Sequence, residues 1–146
     1  DAISHSDLLC CLKQKRAVHA AARRVVRPEG CMVFTVISVT PGLTATQHDR
    51  ALANGPDFVD SDTDYPTLLA ATGWTLSETV DLTDAYADSC QRQLEADLEH
   101  GKDLAELIGQ AEYAERLETW RSNIAALGDG LLRRHLYASL PIANIN

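Results

Sequence analysis

Ser4, His5, Ser6 and Asp7 stand in four consecutive positions, and together they offer two hydroxyls, an imidazole and a carboxylate. Imidazole titrates near neutrality, which makes His5 the sharpest candidate for a general base. A second group of candidates comes from a stretch poor in periodicity: His48, Asp57, Phe58, Asp60 and Tyr65. A segment rich in carboxylates suits a cationic or amine substrate, and a solvated acidic loop is the alternative. Cys10 and Cys11 stand where a helix begins, and small apolar packing is the more frequent role of such residues. His5, His19, His48, His100 and His135 share no metal-ligand spacing with one another or with the four cysteines, so no metal is expected.

The elements that must position these residues follow from composition and period. Residues 1–3 read as an extended start, 13–26 as a helix and 31–39 as a strand apolar on both faces. Val18, Ala21, Ala22 and Val25 form the expected inward stripe of the helix. Arg27-Pro28 stops it, and Gly30 makes the turn. A strand–helix–strand crossover of this kind builds parallel sheets, whose ligands bind at the carboxyl ends of the strands. Ser4 to Asp7 lie at that edge.

Residues 41–63 show no period and read as a candidate lid loop. Asp64-Tyr65-Pro66 opens a short helix with Leu68, Leu69 and Ala71 inward, and Trp74 to Leu82 alternates as a strand. Residues 85–130 then read as two or three helices. Their expected apolar stripes include Leu94 and Leu98, Leu107 and Ile108, and Leu117 and Trp120. Glu112 and Arg116 have the spacing of a solvated ion pair, and Trp74 and Trp120 are expected in the core. Residues 131–140 form a last strand.

Composition sets bounds on partners. The chain of 146 residues has room for one core. Residues 1–30 hold six Lys/Arg and three acids, a net +3, whereas the remainder holds seven and eighteen, a net −11. The basic cluster reads as the solvated face of one helix, and the acidic remainder repels phosphates, so nucleic acid is not an expected partner. No apolar run approaches membrane-spanning length, and no basic leader with an apolar segment stands at the start. Four cysteines without a C-x-x-C pair favour a reducing compartment, and the cytoplasm is the expected location.

With these elements placed, the chain resembles the carboxyl-terminal part of a class I S-adenosylmethionine-dependent methyltransferase. Asp1-Ala2-Ile3 is similar to the opening of the family's fourth strand, and Ala21-Ala22-Arg23-Arg24-Val25-Val26-Arg27-Pro28-Glu29-Gly30 to its helix end and turn. Met32-Val33-Phe34-Thr35 resembles the fifth strand, and Leu68-Leu69-Ala70-Ala71-Thr72-Gly73-Trp74 the helix before the sixth. Leu132 to Ser139 resembles the last strand, which runs antiparallel in this family.

The resemblance implies an α/β fold comprising strands 4 to 7 of a Rossmann-like sheet. Residues 1–146 would form a single partial domain with a helical insertion at 85–130. The family's glycine-rich cofactor turn does not occur here, and Glu29 replaces a common glycine. The resemblance further implies S-adenosylmethionine as cofactor and methyl transfer to nitrogen or oxygen of a small molecule. Ser4, Ser6 and Asp7 would contact the cofactor's methionine end, and His5 would lie near the reacting methyl as base. His48, Asp57, Phe58 and Tyr65 would bind substrate. By itself the chain is expected to bind cofactor weakly or not at all, to be inactive and to self-associate, which leaves room for a homodimer. The alternative is a non-catalytic methyltransferase-like module whose helical insertion mediates dimerisation.

Overall fold

A computed structural model describes residues 1–143, which cluster as two compact units. The first comprises Asp1–Ser38, Pro56–Asp81 and the described residues from Arg134 onward; the second comprises Val39–Gly55 and Leu82–Arg133.

The first unit is built on a four-stranded sheet. Strands β1 (Ala2–Ser6), β2 (Cys31–Val39), β3 (Trp74–Asp81) and β4 (Leu132–Pro141) lie in the order β1-β2-β4-β3. β1 pairs parallel with β2, bringing His5 beside Phe34 and Ser6 beside Thr35. β3 pairs antiparallel with β4. The crossover between β1 and β2 carries a 3-10 turn at Leu9–Cys11 and helix α1 (Lys15–Val25). Gly30 closes the crossover where the chain passes closest to β1. A Cβ there would stand 2.8 Å from the Asp1 carbonyl oxygen, which accepts the Cys31 N–H at 3.1 Å.

The inward face of α1 differs from the expected stripe. Lys15 and His19 are buried, whereas Val25 is 72% exposed and Val26 takes its place in the core. At 100° per residue, the seven steps from His19 return Val26 to the buried side, and six put Val25 on the far side. Helix α3 (Tyr65–Ala71) starts as the sequence indicates: the Asp64 carboxylate accepts the Thr67 N–H at 2.7 Å. Tyr65, Leu68 and Leu69 face inward, but Ala71 is exposed. Trp74 is fully buried and donates its indole N–H to the His19 carbonyl at 3.1 Å.

The second unit consists of α2 (Ala45–Asn54), α4 (Thr83–Glu99), α5 (Gly101–Ile108) and α6 (Gln110–Gly128), with α2, α4 and α5 each packed on α6. The helix α2 corrects the expectation of an irregular stretch across 41–63. Thr44 and Gln47 form a reciprocal capping box, which supplies the start signal. Only Ala51 of this helix is buried, so no apolar stripe betrays it in the sequence.

The stripe expected for α4 holds at Leu94 and fails at Leu98, and the stripe expected for α5 is displaced. Asp97 is buried while Leu98 is 50% exposed, and Ala105 is buried while Leu107 is 82% exposed. The reason lies in the partners of Asp97. Its carboxylate accepts from Arg116 Nε at 2.5 Å and from the indole N–H of Trp120 at 2.7 Å. Those donors allow a carboxylate inside where Leu98 was expected. Arg116 therefore turns to Asp97 rather than to Glu112, and Trp120 is half-buried rather than in the core. Among the described residues, no helix is long and apolar enough to cross a membrane.

Candidate functional site at the carboxyl end of β1

Strand alternation divides Ser4 to Asp7 between two faces of the sheet. Ser4 and Ser6 share one face with Thr35 of β2, and there the Ser6 and Thr35 hydroxyls lie 2.8 Å apart. Arg134 of β4 completes this group. Its Nε lies 3.1 Å from Asp7 Oδ1 and its Nη2 2.8 Å from Asp7 Oδ2, and Nη2 also reaches the Ser6 and Thr35 hydroxyls at 3.2 Å each. Asp7 adopts φ +49, the one positive φ at a non-glycine residue among those described. Its N–H donates to the Thr35 carbonyl at 2.9 Å, and its own carbonyl accepts from the Cys10 thiol at 3.2 Å. A left-handed aspartate fixed by two charge-assisted bonds is a strained element, of the sort that clusters at ligand sites. Ser4 is exposed on β1.

His5 points to the opposite face and stacks on Phe34, ring centres 5.0 Å apart. A continuous group of rings follows. His19 of α1 meets Phe34 edge-on at 5.2 Å, Tyr65 lies 5.9 Å from Phe34, and Tyr137 of β4 lies 5.4 Å from Phe34 and 5.8 Å from Tyr65. Both ring nitrogens of His5, both of His19 and the Tyr65 hydroxyl are buried without a hydrogen-bond partner.

Burial shapes the protonation of this group. It lowers the His5 pKa, and it lowers that of His19 to about 4, with the His5 charge adding to the effect. It pushes the Tyr65 hydroxyl far up, beyond any titration near neutrality. Cys10 is fully buried and its thiol is pushed up to about 11, chiefly by burial, which fits packing rather than nucleophilic chemistry.

The remaining expected residues fall in two places. Asp57 and Phe58 stand in the segment that leads into α3. The Phe58 N–H donates to the Cys10 carbonyl at 3.0 Å, and the carbonyls of Phe58 and Asp60 accept from the Lys15 ammonium at 2.5 and 2.8 Å. Tyr65 is buried among the rings just described. His48 lies on α2 in the second unit, half-buried. Thr35, Arg134, Lys15, His19 and Tyr137 join these groups in the fold and are not among the site residues expected from the sequence. Lys15 and His19 carried one usable signal, since they stand four residues apart on one helix face. Arg134 carried none, because a strand arginine 127 residues from Asp7 shows its partner only in the fold. Among the described residues, no group of three or more His, Cys, Asp or Glu could hold a metal ion.

No protein-family model matches the chain, and no curated protein matches it in sequence. Solved structures do. A protein described as a sarcosine dimethylglycine methyltransferase from Galdieria sulphuraria superposes with a TM-score of 0.85 at 16% identity, over 99% of this chain and 53% of the other. Phosphoethanolamine N-methyltransferase 2 of Haemonchus contortus gives 0.83 at 14% identity, over 98% and 34%. The cyclopropane synthase MmaA2 of Mycobacterium tuberculosis gives 0.80 at 16% identity, over 96% and 55%. The chain thus spans about half or less of the length of the structures it matches. It has the fold of the carboxyl-terminal part of a class I S-adenosylmethionine-dependent methyltransferase.

Proposed function

We propose that this chain contributes to S-adenosylmethionine-dependent methyl transfer to nitrogen or oxygen of a small molecule, at the carboxyl end of β1. The observation that carries this reading is the strand order β1-β2-β4-β3 with β3 and β4 antiparallel, together with the superpositions it produces. The strained Asp7 at the ligand edge of the sheet adds to it.

The residues at that edge suit one end of the cofactor. Ser4 and Ser6 offer hydroxyls and Asp7 a carboxylate, groups that match the polar methionine end, and these three would hold it. When bound, the cofactor supplies an electrophilic methyl on a sulfonium. The protein's task is then to position the acceptor and to take its proton. For His5 we propose the base role: burial favours the neutral imidazole, and neither ring nitrogen is committed to a protein partner. His48, Asp57, Phe58 and Tyr65 are proposed as substrate contacts. The three solved relatives include two whose names specify amine substrates.

A second reading, a non-catalytic module that dimerises through its helical unit, is favoured by one observation: Leu98 and Leu107 lie exposed on α4 and α5. A labelled-methyl transfer screen of the full-length gene product against amines, alcohols and carboxylates separates the two. Transfer that falls at least about a hundredfold in His5→Ala, with cofactor affinity kept, agrees with the base role. Turnover retained by His5→Ala would remove that role. A dimer that transfers no methyl to any acceptor would favour the second reading.

A further inference from the structure

Charges of both signs face one cavity on the first unit. The cavity encloses about 450 Å³, a size suited to a small molecule. One side is the segment entering α1, with Lys13, Lys15 and Arg16; the other is the segment before α3, with Asp57, Asp60 and Asp62. Both segments follow the carboxyl ends of parallel strands, β1 and β2, where sheets of this type take their ligands.

Lys15 is spent on structure. Its ammonium, 7% exposed, joins the two sides by donating to the Phe58 and Asp60 carbonyls. Asp60 and Asp62 lie in the field of that ammonium, whereas Lys13 and Arg16 have other partners. Lys13 rests on the face of Phe58, 5.2 Å from the ring centre, and Arg16 donates to the Ala71 carbonyl at 3.3 Å. Asp57 and Asp62 make no hydrogen bond or ion pair with either cation. Exposed ion pairs contribute little to stability, so these exposed side chains need not close on each other. Here Lys15 fixes the backbone of the opposing segment, and the space between the charges stays open.

Helix α1 begins in the same cavity with no side-chain cap and no acidic residue in its first turn. Three cations therefore stand at the positive end of a helix, an arrangement that an anionic group would relieve. The carboxylates opposite would repel a simple anion, and the cations would repel a simple amine.

We propose that this cavity binds a small zwitterion, with its phosphate or carboxylate toward Lys13, Arg16 and the start of α1 and its ammonium toward Asp57 and Asp62. This names the substrate class for the proposed methyl transfer and rests on that reading for its role. Its binding, however, can be measured without cofactor or turnover.

Calorimetry on the full-length protein would use phosphoethanolamine and N,N-dimethylglycine as two-charge probes, with inorganic phosphate and ethanolamine as one-charge controls. At least one two-charge probe should bind about tenfold or more tighter than either control. Lys13→Gln should weaken that probe and inorganic phosphate alike. Asp57→Asn should weaken the probe while leaving inorganic phosphate unchanged or tighter. Thermal unfolding of each variant would show that the fold is kept. Phosphate binding as tightly as both probes, ethanolamine doing so, or no binding by either probe would each overturn the proposal. Zwitterion binding without methyl transfer would leave the site standing and sink the enzymatic reading instead.

Discussion

The Asp7–Arg134 clamp makes a prediction whose size can be worked from its geometry. Two parallel bonds join the carboxylate and guanidinium, and the side chains are 30% and 22% exposed. An exposed pair contributes about 0–1 kcal/mol, and breaking a fully buried one costs about 3–5 kcal/mol. A bidentate pair between those limits should show a coupling of about 1–2 kcal/mol. Backbone conformation adds a separable contribution. Asparagine tolerates φ +49 nearly as well as aspartate, whereas alanine at a left-handed position loses about another 1 kcal/mol. Asp7→Asn should therefore cost about 1–2 kcal/mol and Asp7→Ala about 2–3 kcal/mol.

Urea unfolding of the wild type, Asp7→Asn, Arg134→Gln and the double variant, followed by tryptophan fluorescence, closes the cycle. Asp7→Ala and Asp7→Gly, measured alongside, isolate the backbone contribution, because glycine loses the pair but not the left-handed conformation. A coupling below about 0.3 kcal/mol would show that the pair holds nothing at the strand end. Alanine no worse than asparagine would show that the backbone at residue 7 is not strained.

Two further outcomes follow from buried groups. His19 titrates near 6.5 when unfolded and at about 4 when folded, so the unfolded chain binds its proton first. Stability should be full above pH 6.5 and fall as pH drops toward 4, by about 3 kcal/mol at the bottom of that window, with His5 acting in the same direction. His19→Phe should flatten this slope in unfolding measured from pH 7 to pH 4, and an unchanged slope would locate the acid sensitivity elsewhere. In the helical unit, Asp97→Ala strips Arg116 and Trp120 of their shared acceptor and should cost about 2–4 kcal/mol in thermal unfolding. Arg116 holds the Asp97 carboxyl below its ordinary range, so this contribution persists at neutral pH and disappears only as pH falls through that lowered value.

Local chemistry made much of the fold readable. Pro28 and Gly30 ended α1, Asp64 and Pro66 opened α3, and the alternation from Trp74 marked β3, because each signal acts within a few residues. The errors occur where burial is decided by a distant partner. α2 buries one alanine, so only the Thr44–Gln47 box announced it. Asp97 lies inside because Arg116 and Trp120 come from another helix, and their arrival turns Leu98 outward. Lys15, the buried lysine of α1, depends in the same way on carbonyls more than forty residues further along the chain.

At the site, sequence adjacency suggests a single constellation that the strand period divides. Ser4 to Asp7 are contiguous, yet alternate residues of a strand face opposite sides of its sheet. Ser6 therefore faces Thr35 and Arg134, and Asp7, past the strand end at φ +49, turns to join them, while His5 enters a row of rings where its nitrogens are buried. The two halves call for different experiments. The polar half is held by charge across three strands, and its substitutions should show in coupling energies. The ring half holds titratable groups whose protonation burial shifts, so its substitutions should show in the pH dependence of stability and of turnover. If His5 is the base, a turnover profile bending at a pH below the usual imidazole range should accompany its buried position. A profile bending at or above that range would assign the proton to a different group, leaving His5 as the ring that closes the stack on Phe34.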